Sequence, residues 1–374
     1  MNAADCWLFR LPTAISFGNG CVEQLPRLTA ARGRRPLVVT DQHLASLPIC
    51  ARIRTLLPEA PLFCDVMSDP TVASVDALVQ QLRSGGHDVV VAVGGGSALD
   101  CAKAAAAIAP DDLPSIRAVH SEGVPLGDVS LPVIAAPTTA GTGSEVTPFA
   151  VLNDPEKNVK GPIAGEALYP TLAVVDPELT YSLPRPVTIT TGLDALCHAI
   201  EGYWSRNHQP ICDLLAIEAA RLICRHLRRA AEQPHDGEAR FAMSYAATLA
   251  GAAFQLPKNA MVHACSFPLS ARYHLPHGMA CALTLEEAIR FNSPAMGERM
   301  TEFLRGIGMS SAGELTELVH ELKLLGGLPC TLHEAGIAAA DIPQLVRDSF
   351  HPLMRNNPRP VTETDLTAIY ERLA

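Results

Sequence analysis

The chain has 374 residues, 48% of them hydrophobic and 18% charged, with a formal net charge of −10 at pH 7. That length points to two domains with sizeable cores, and the acidic balance argues against nucleic acid or an anionic membrane as partner. Eleven scattered cysteines form neither a CxxC pair nor a disulfide-like rhythm, which reads as free thiols in a reducing cytoplasm.

In chain order, the opening MNAADCWLFRLP lacks the basic and apolar regions of a leader peptide, and no apolar run reaches the roughly 20 residues that span a bilayer. Residues 1–184 read as alternating strands and helices. Pro36–Thr40 and Leu62–Val66 have the composition of buried strands. Thr71–Ser84 has helical spacing closed by Gly85-Gly86, and Asp88–Val93 (DVVVAV) is the clearest strand. Leu131–Ala135 is another. Strands of this kind, joined by helices, predict a parallel doubly wound sheet with ligands at the strands' carboxyl ends.

Two turns lie at such ends. Gly94-Gly95-Gly96-Ser97 follows DVVVAV and precedes a helix expected from Ala98; glycine lets the backbone approach phosphates that face helix amides. By itself a Gly-rich turn is also a common connector. The second turn, PTTAGTGSE at 137–145, offers hydroxyl and amide donors, or simply a solvated loop. Asp41, after the first strand, can hydrogen-bond a ribose 2′-hydroxyl and repel a 2′-phosphate, favouring NAD over NADP. It is also placed to cap a helix beginning near Gln42.

Pro184-Arg185-Pro186 marks a domain boundary, and 185–374 is predominantly helical. In TGLDALCHAIE, Asp194 and His198 are four apart and leave one helix face. Asp213–Ala231 is amphipathic, with Arg221, Arg225, Arg228 and Arg229 on a solvated face. Phe241–Ala253 reads as a core helix supporting the helix of His263. His277 follows in a Pro-His-Gly turn. One carboxylate and three imidazoles suit Fe²⁺, Zn²⁺ or another divalent cation, while spacing alone leaves a surface pair and core histidines equally open. Cys197 and Cys265, beside these residues, read as packing residues.

TGLDALCHAIE followed by HACSFPLSARYHLPHG resembles the two signatures of the iron-containing (group III) alcohol dehydrogenases, and the resemblance spans nearly the whole chain. It implies an α/β NAD(P)-binding domain (1–184) with a parallel sheet, and an all-α metal-binding domain (185–374), the dehydroquinate synthase-like architecture. It also implies Asp194, His198, His263 and His277 as metal ligands. GGGSALDCAK resembles the family's pyrophosphate turn, implying cofactor roles for Gly94, Gly95, Gly96, Ser97 and Asp100, with Lys103 in its expected place. By the same resemblance Thr138, Thr139, Thr142, Ser144, Lys160 and Leu183 contact the cofactor, Phe149 lies near the nicotinamide and substrate, and the enzyme is a homodimer. The chain departs from the family at Phe267, where a second histidine is common.

The implied reaction is hydride transfer between nicotinamide and a small alcohol or aldehyde whose oxygen a divalent metal polarises. With Phe267 in place of histidine, His274 is a candidate proton relay beside His277, or a surface loop residue. Lys258 and Arg272 flank the metal stretch and would suit an anionic head group, or reach solvent. The details WSRNHQP and HACSFPLS resemble the phosphonoacetaldehyde reductase branch, which implies reduction to 2-hydroxyethylphosphonate. Glycerol dehydrogenase, dehydroquinate synthase and a non-catalytic NAD- or metal-binding protein are the competing readings.

Overall fold

The computed structural model describes residues 6–157 and 159–374. Residues 1–5, where the reading against a leader begins, lie outside that set. The chain forms two compact units: one comprises Leu11–Thr139 and Gly143–Tyr181; the other the segment ending at Arg10, Ala140–Thr142 and Ser182–Ala374.

The first unit is α/β. Its opening elements are β1 (Ala14–Phe17), α1 (Leu25–Ala30), β2 (Pro36–Asp41), α2 (Gln42–Ala45), α3 (Pro48–Leu56) and β3 (Leu62–Val66). Then follow α4 (Val72–Gly85), β4 (Val89–Gly94), α5 (Gly96–Ile108), α6 (Arg117–His120) and β5 (Val133–Pro137). A β6 (Phe149–Asp154)–β7 (Val159–Ala164) antiparallel hairpin precedes β8 (Leu172–Val175). Six parallel strands run in the order β1-β8-β5-β4-β2-β3. Both faces are covered: in β4, Val90 and Ala92 join one apolar cluster and Val89, Val91 and Val93 another. That explains the continuous DVVVAV run, because neither face meets water. Helix α4 has the anticipated punctuation, with Thr71 Oγ1 accepting from Ser74 N and Gly86 closing it at φ 59°.

Strand order places the carboxyl ends of β2 and β4 side by side, so Asp41 and Gly94 end neighbouring strands. Helix α5 starts at Gly96, two residues earlier than the sequence suggested. Gly94 has a steric reason: a Cβ there would meet Ala98 Cβ at 2.5 Å, so only glycine permits so abrupt a strand-to-helix reversal.

The second unit is helical. It contains α7 (Arg185–Trp204), α8 (Pro210–Glu232), α9 (Gly237–Phe254), α10 (Met261–Tyr273) and α11 (His277–Met296). It ends with α12 (Glu298–Ile307), α13 (Ala312–Gly326), α14 (Ile342–Asp348) and α15 (Glu363–Arg372), the last opened by a Thr362/Asp365 capping box. Helix α7 is central, packing on α8, α9, α11 and α13; fifteen of its twenty residues are buried, so it has no polar face to show. Two expectations need correction. Helix α9 packs on α7 and α8, and α10 packs chiefly on α11. His277 opens a helix and does not sit in a turn; Pro276 before it supplies the fixed φ of a helix entry. The basic residues of α8 are indeed surface partners, with Arg221 on Glu218, Arg228 on Glu321 and Arg229 on Asp236 and Glu238.

Candidate metal centre and cofactor turn

Four of the sequence-predicted residues come together inside the helical unit. Asp194 and His198 leave one face of α7, His263 comes from the first turn of α10, and His277 opens α11. Close approach of α11 depends on Gly278, where a Cβ would lie 2.6 Å from Thr190 O. His198 Nε2 is 3.1 Å from His263 Nε2. Asp194 Oδ1 is 3.7 Å from Nε2 of both His263 and His277. Donors sharing one divalent ion at about 2.1 Å stand roughly 3.0–3.7 Å apart at cis angles, so these separations fit a common metal. Asp194 Oδ1 is moreover buried with no hydrogen-bond partner, a cost that a cation would remove.

The histidines are oriented by groups the sequence reading did not assign. Glu201, fully buried, accepts from His263 Nδ1–H at 2.6 Å and from Val262 N–H at 2.7 Å. That bond puts the His263 proton on Nδ1 and turns the Nε2 lone pair towards the cluster. Its signal was present in TGLDALCHAIE: Glu201 is seven residues after Asp194 and three after His198, on one helix face. His198 stacks on Phe254, centroids 4.2 Å apart at 9°. Cys281, also buried, brings Sγ to 3.8 Å from His277 Nε2 one turn along α11.

Electrostatics around the cluster pull in two directions. At His263 and His277 burial is outweighed by the groups around them, Cys281 foremost, which hold both imidazoles above their usual range. Asp194 and His198, in contrast, are held in the forms a metal needs. Burial opposes an ionised Asp194, but the neighbouring imidazoles outweigh it and hold the carboxyl well below its usual range. Burial, reinforced by His263 and His277, pushes His198 down to about 3, keeping it neutral. Burial disfavours a Cys281 thiolate, yet His263 and His277 bring that thiol down to about 7. Cys197 and Cys265, by contrast, are pushed up by burial, in keeping with packing roles.

In the α/β unit, Gly94-Gly95-Gly96-Ser97 forms the reversal from β4 into α5. Thr138 N–H bonds Gly94 O at 2.9 Å, and Thr139 lies against the position of Gly95. Ser97 Oγ accepts from Asp69 N–H at 3.3 Å, and Asp69 pairs with Lys160 Nζ at 2.8 Å. Lys160 on β7 is thereby tied to the start of α5 through Asp69, a non-glycine residue at φ 57° that sequence reasoning passed over.

Other expectations are altered. Asp41 Oδ1 caps α2, accepting from Leu44 N–H at 2.8 Å, so the capping alternative is realised and Oδ2 is the atom left to address a ribose. Asp100 spends Oδ1 on Ser144 Oγ–H (2.5 Å) and Oδ2 on Val151 N–H (2.8 Å). Buried Lys103 donates to Ser144 O and Oγ. This trio therefore braces α5 against the 144–151 segment, beside the cofactor contacts expected of Asp100 and Ser144. Thr142, Phe149 and Leu183 are half-buried. Arg272, expected at the substrate, is an exposed partner of Asp348 at 2.9 Å. Lys258 is exposed at φ 62°. His274 is the exposed left-handed cap of α10, φ 55°, so its backbone ends a helix. A different imidazole adjoins Phe267: the His351 ring lies 4.6 Å from it, half-buried, with Nδ1 accepting from Leu353 N–H.

Comparison with known proteins covers both units. The family model described as iron-containing alcohol dehydrogenase matches residues 12–177, and that of the C-terminal part of the Fe-containing alcohol dehydrogenase family matches residues 188–374. The chain is 34% identical over 377 residues to the NAD-dependent methanol dehydrogenase of Bacillus methanolicus, covering 96% of this chain and 98% of that one. It is 31% identical over 356 residues to the sulfoacetaldehyde reductase of Bilophila wadsworthia, covering 91% and 92%. Among solved structures, the sulfoacetaldehyde reductase of Bifidobacterium kashiwanohense in complex with NAD⁺ superposes with a TM-score of 0.94 at 40% identity, covering 99% of each chain.

Proposed function

The chain belongs to the iron-containing alcohol dehydrogenase family, and from that premise we propose that it is an NADH-dependent reductase of small aldehydes bearing a sulfonate or phosphonate head group. The observation that carries the reading is the 40% identity over 99% of the chain to a sulfoacetaldehyde reductase crystallised with NAD⁺, together with an intact Asp194/His198/His263/His277 cluster. Sulfoacetaldehyde and phosphonoacetaldehyde share a two-carbon aldehyde with a tetrahedral anion. Their products would be 2-hydroxyethylsulfonate and 2-hydroxyethylphosphonate. Free thiols at all eleven cysteines support a reducing cytoplasm as its compartment, and a homodimer remains the family-based reading.

A bound divalent metal would act as a Lewis acid on the aldehyde oxygen. Asp194, His198, His263 and His277 would hold it, and Glu201 fixes the His263 tautomer that this requires. Amides of the 94–97 turn and the α5 N-terminus would meet the cofactor pyrophosphate, with Asp41 Oδ2 addressing the ribose and excluding a 2′-phosphate. Bound NADH would supply the hydride to the carbonyl carbon, and this chain must deliver a proton to the oxygen. His351 is a better positioning group for that proton than His274. With Nδ1 occupied by Leu353 N–H, its neutral ring carries hydrogen on Nε2, from which it can hydrogen-bond a proton-carrying water. The exposed pairing of Arg272 with Asp348 argues against a role as the anion anchor.

The test is NADH oxidation by anaerobically Fe²⁺-loaded protein with sulfoacetaldehyde, phosphonoacetaldehyde and propanal. A kcat/KM advantage of at least about tenfold for an anionic aldehyde, some 1.4 kcal/mol of transition-state binding, is expected. Equal or faster reduction of propanal would overturn the anionic reading and favour a general alcohol dehydrogenase, like the 1-propanol dehydrogenase of Salmonella typhimurium to which the chain is 33% identical.

A further inference from the structure

We propose that Cys281 is a fifth protein donor to the metal, making the centre an Asp/His₃/Cys site. The inference rests on the metal reading above but not on any choice of substrate. Cys281 follows His277 by four residues on α11, so both side chains leave the same face. The donor atoms of Asp194, His263, His277 and Cys281 all lie within 4.8 Å of one another. Sγ stands 3.8 Å from His277 Nε2, the separation of a cis pair with a metal–sulfur bond of about 2.3 Å and a metal–nitrogen bond of about 2.1 Å at roughly 120°. The residue is fully buried, so its sulfur has no competing solvent. Among the described residues, Cys197, Cys265 and His198 fall outside this mutually close group; His198 adjoins it through His263, Nε2 to Nε2 at 3.1 Å.

Ligation breaks the S–H bond, forms a metal–sulfur bond and passes the proton to solvent, with no change of oxidation state. A thiolate adds a soft donor to an otherwise nitrogen–oxygen set, so it biases the centre towards Zn²⁺ and Co²⁺ over Mn²⁺ and Mg²⁺. The chain would then hold zinc more firmly than the four-residue set alone.

The decisive experiment is anaerobic loading of the full chain with Co²⁺, read by optical absorption. Ligand-field bands report cobalt in the centre; a thiolate-to-cobalt charge-transfer band in the near ultraviolet reports sulfur. The expected result is both in the wild type, with loss of the charge-transfer band alone in Cys281→Ser. That variant should also release Zn²⁺ to a chelator with an affinity weakened on the order of tenfold or more. Ligand-field bands without charge transfer in the wild type, or charge transfer persisting in Cys281→Ser, would overturn the proposal and leave the four-residue centre standing. Absence of both bands would instead defeat the metal reading itself, and the thiol ligand with it. Should Cys281→Ser fail to fold, Cys281→Ala takes its place with the same outcomes: loss of the charge-transfer band alone supports the proposal, and its persistence overturns it.

Discussion

Glu201→Gln tests the orientation of the centre with almost no change of shape. Glu201 is fully buried and accepts two hydrogen bonds, from His263 Nδ1–H at 2.6 Å and Val262 N–H at 2.7 Å. A glutamine has one acceptor oxygen. If it serves Val262, the amide NH₂ faces His263 and forces the ring proton onto Nε2, where it blocks ligation. If it serves His263, the NH₂ opposes Val262 N–H and a buried donor is orphaned. Either way one charge-assisted bond is lost, worth about 1.5–3 kcal/mol. Removal of such an orienting carboxylate typically weakens metal binding about 10–100-fold, or roughly 1.4–2.7 kcal/mol. Chelator competition would measure the affinity, and thermal unfolding in excess chelator would separate the metal-independent part. Metal affinity within about twofold of wild type, with an unchanged Tm in chelator, would refute the reasoning.

Two further outcomes follow from the same geometry. Gly94→Ala forces a Cβ to 2.5 Å from that of Ala98, and should cost about 1–3 kcal/mol while weakening NADH binding; fluorescence titration and chemical denaturation would show both, and unimpaired binding would contradict the steric account of the turn. His351 is driven below its ordinary pKa by burial. A histidine depressed in the folded state contributes stability that is fully present above its unfolded value, about 6.5, and is lost as pH falls from there through the folded value. His351→Phe should therefore flatten the acid side of the stability profile in that window and lower kcat more than it raises KM; a profile parallel to wild type would refute the assignment.

Much of this protein is settled by local sequence. The strand–Gly-rich turn–helix of 88–108 is legible because a doubly buried strand must be continuously apolar and an abrupt reversal needs glycine. Asp194 and His198 share a face because four residues make about one helical turn, whatever surrounds them. Tertiary structure decided which distant groups meet. Glu201 reaches His263 across 62 positions, and Cys281 enters the cluster only because Gly278 lets α11 press onto α7. It also redirected residues whose type suited two roles: Asp100 turned inward to Ser144 and Val151, and Arg272 outward to Asp348. Helical periodicity specifies a side chain's direction from its own axis. What stands opposite depends on how helices remote in sequence pack, and burial then makes every polar atom there find a partner.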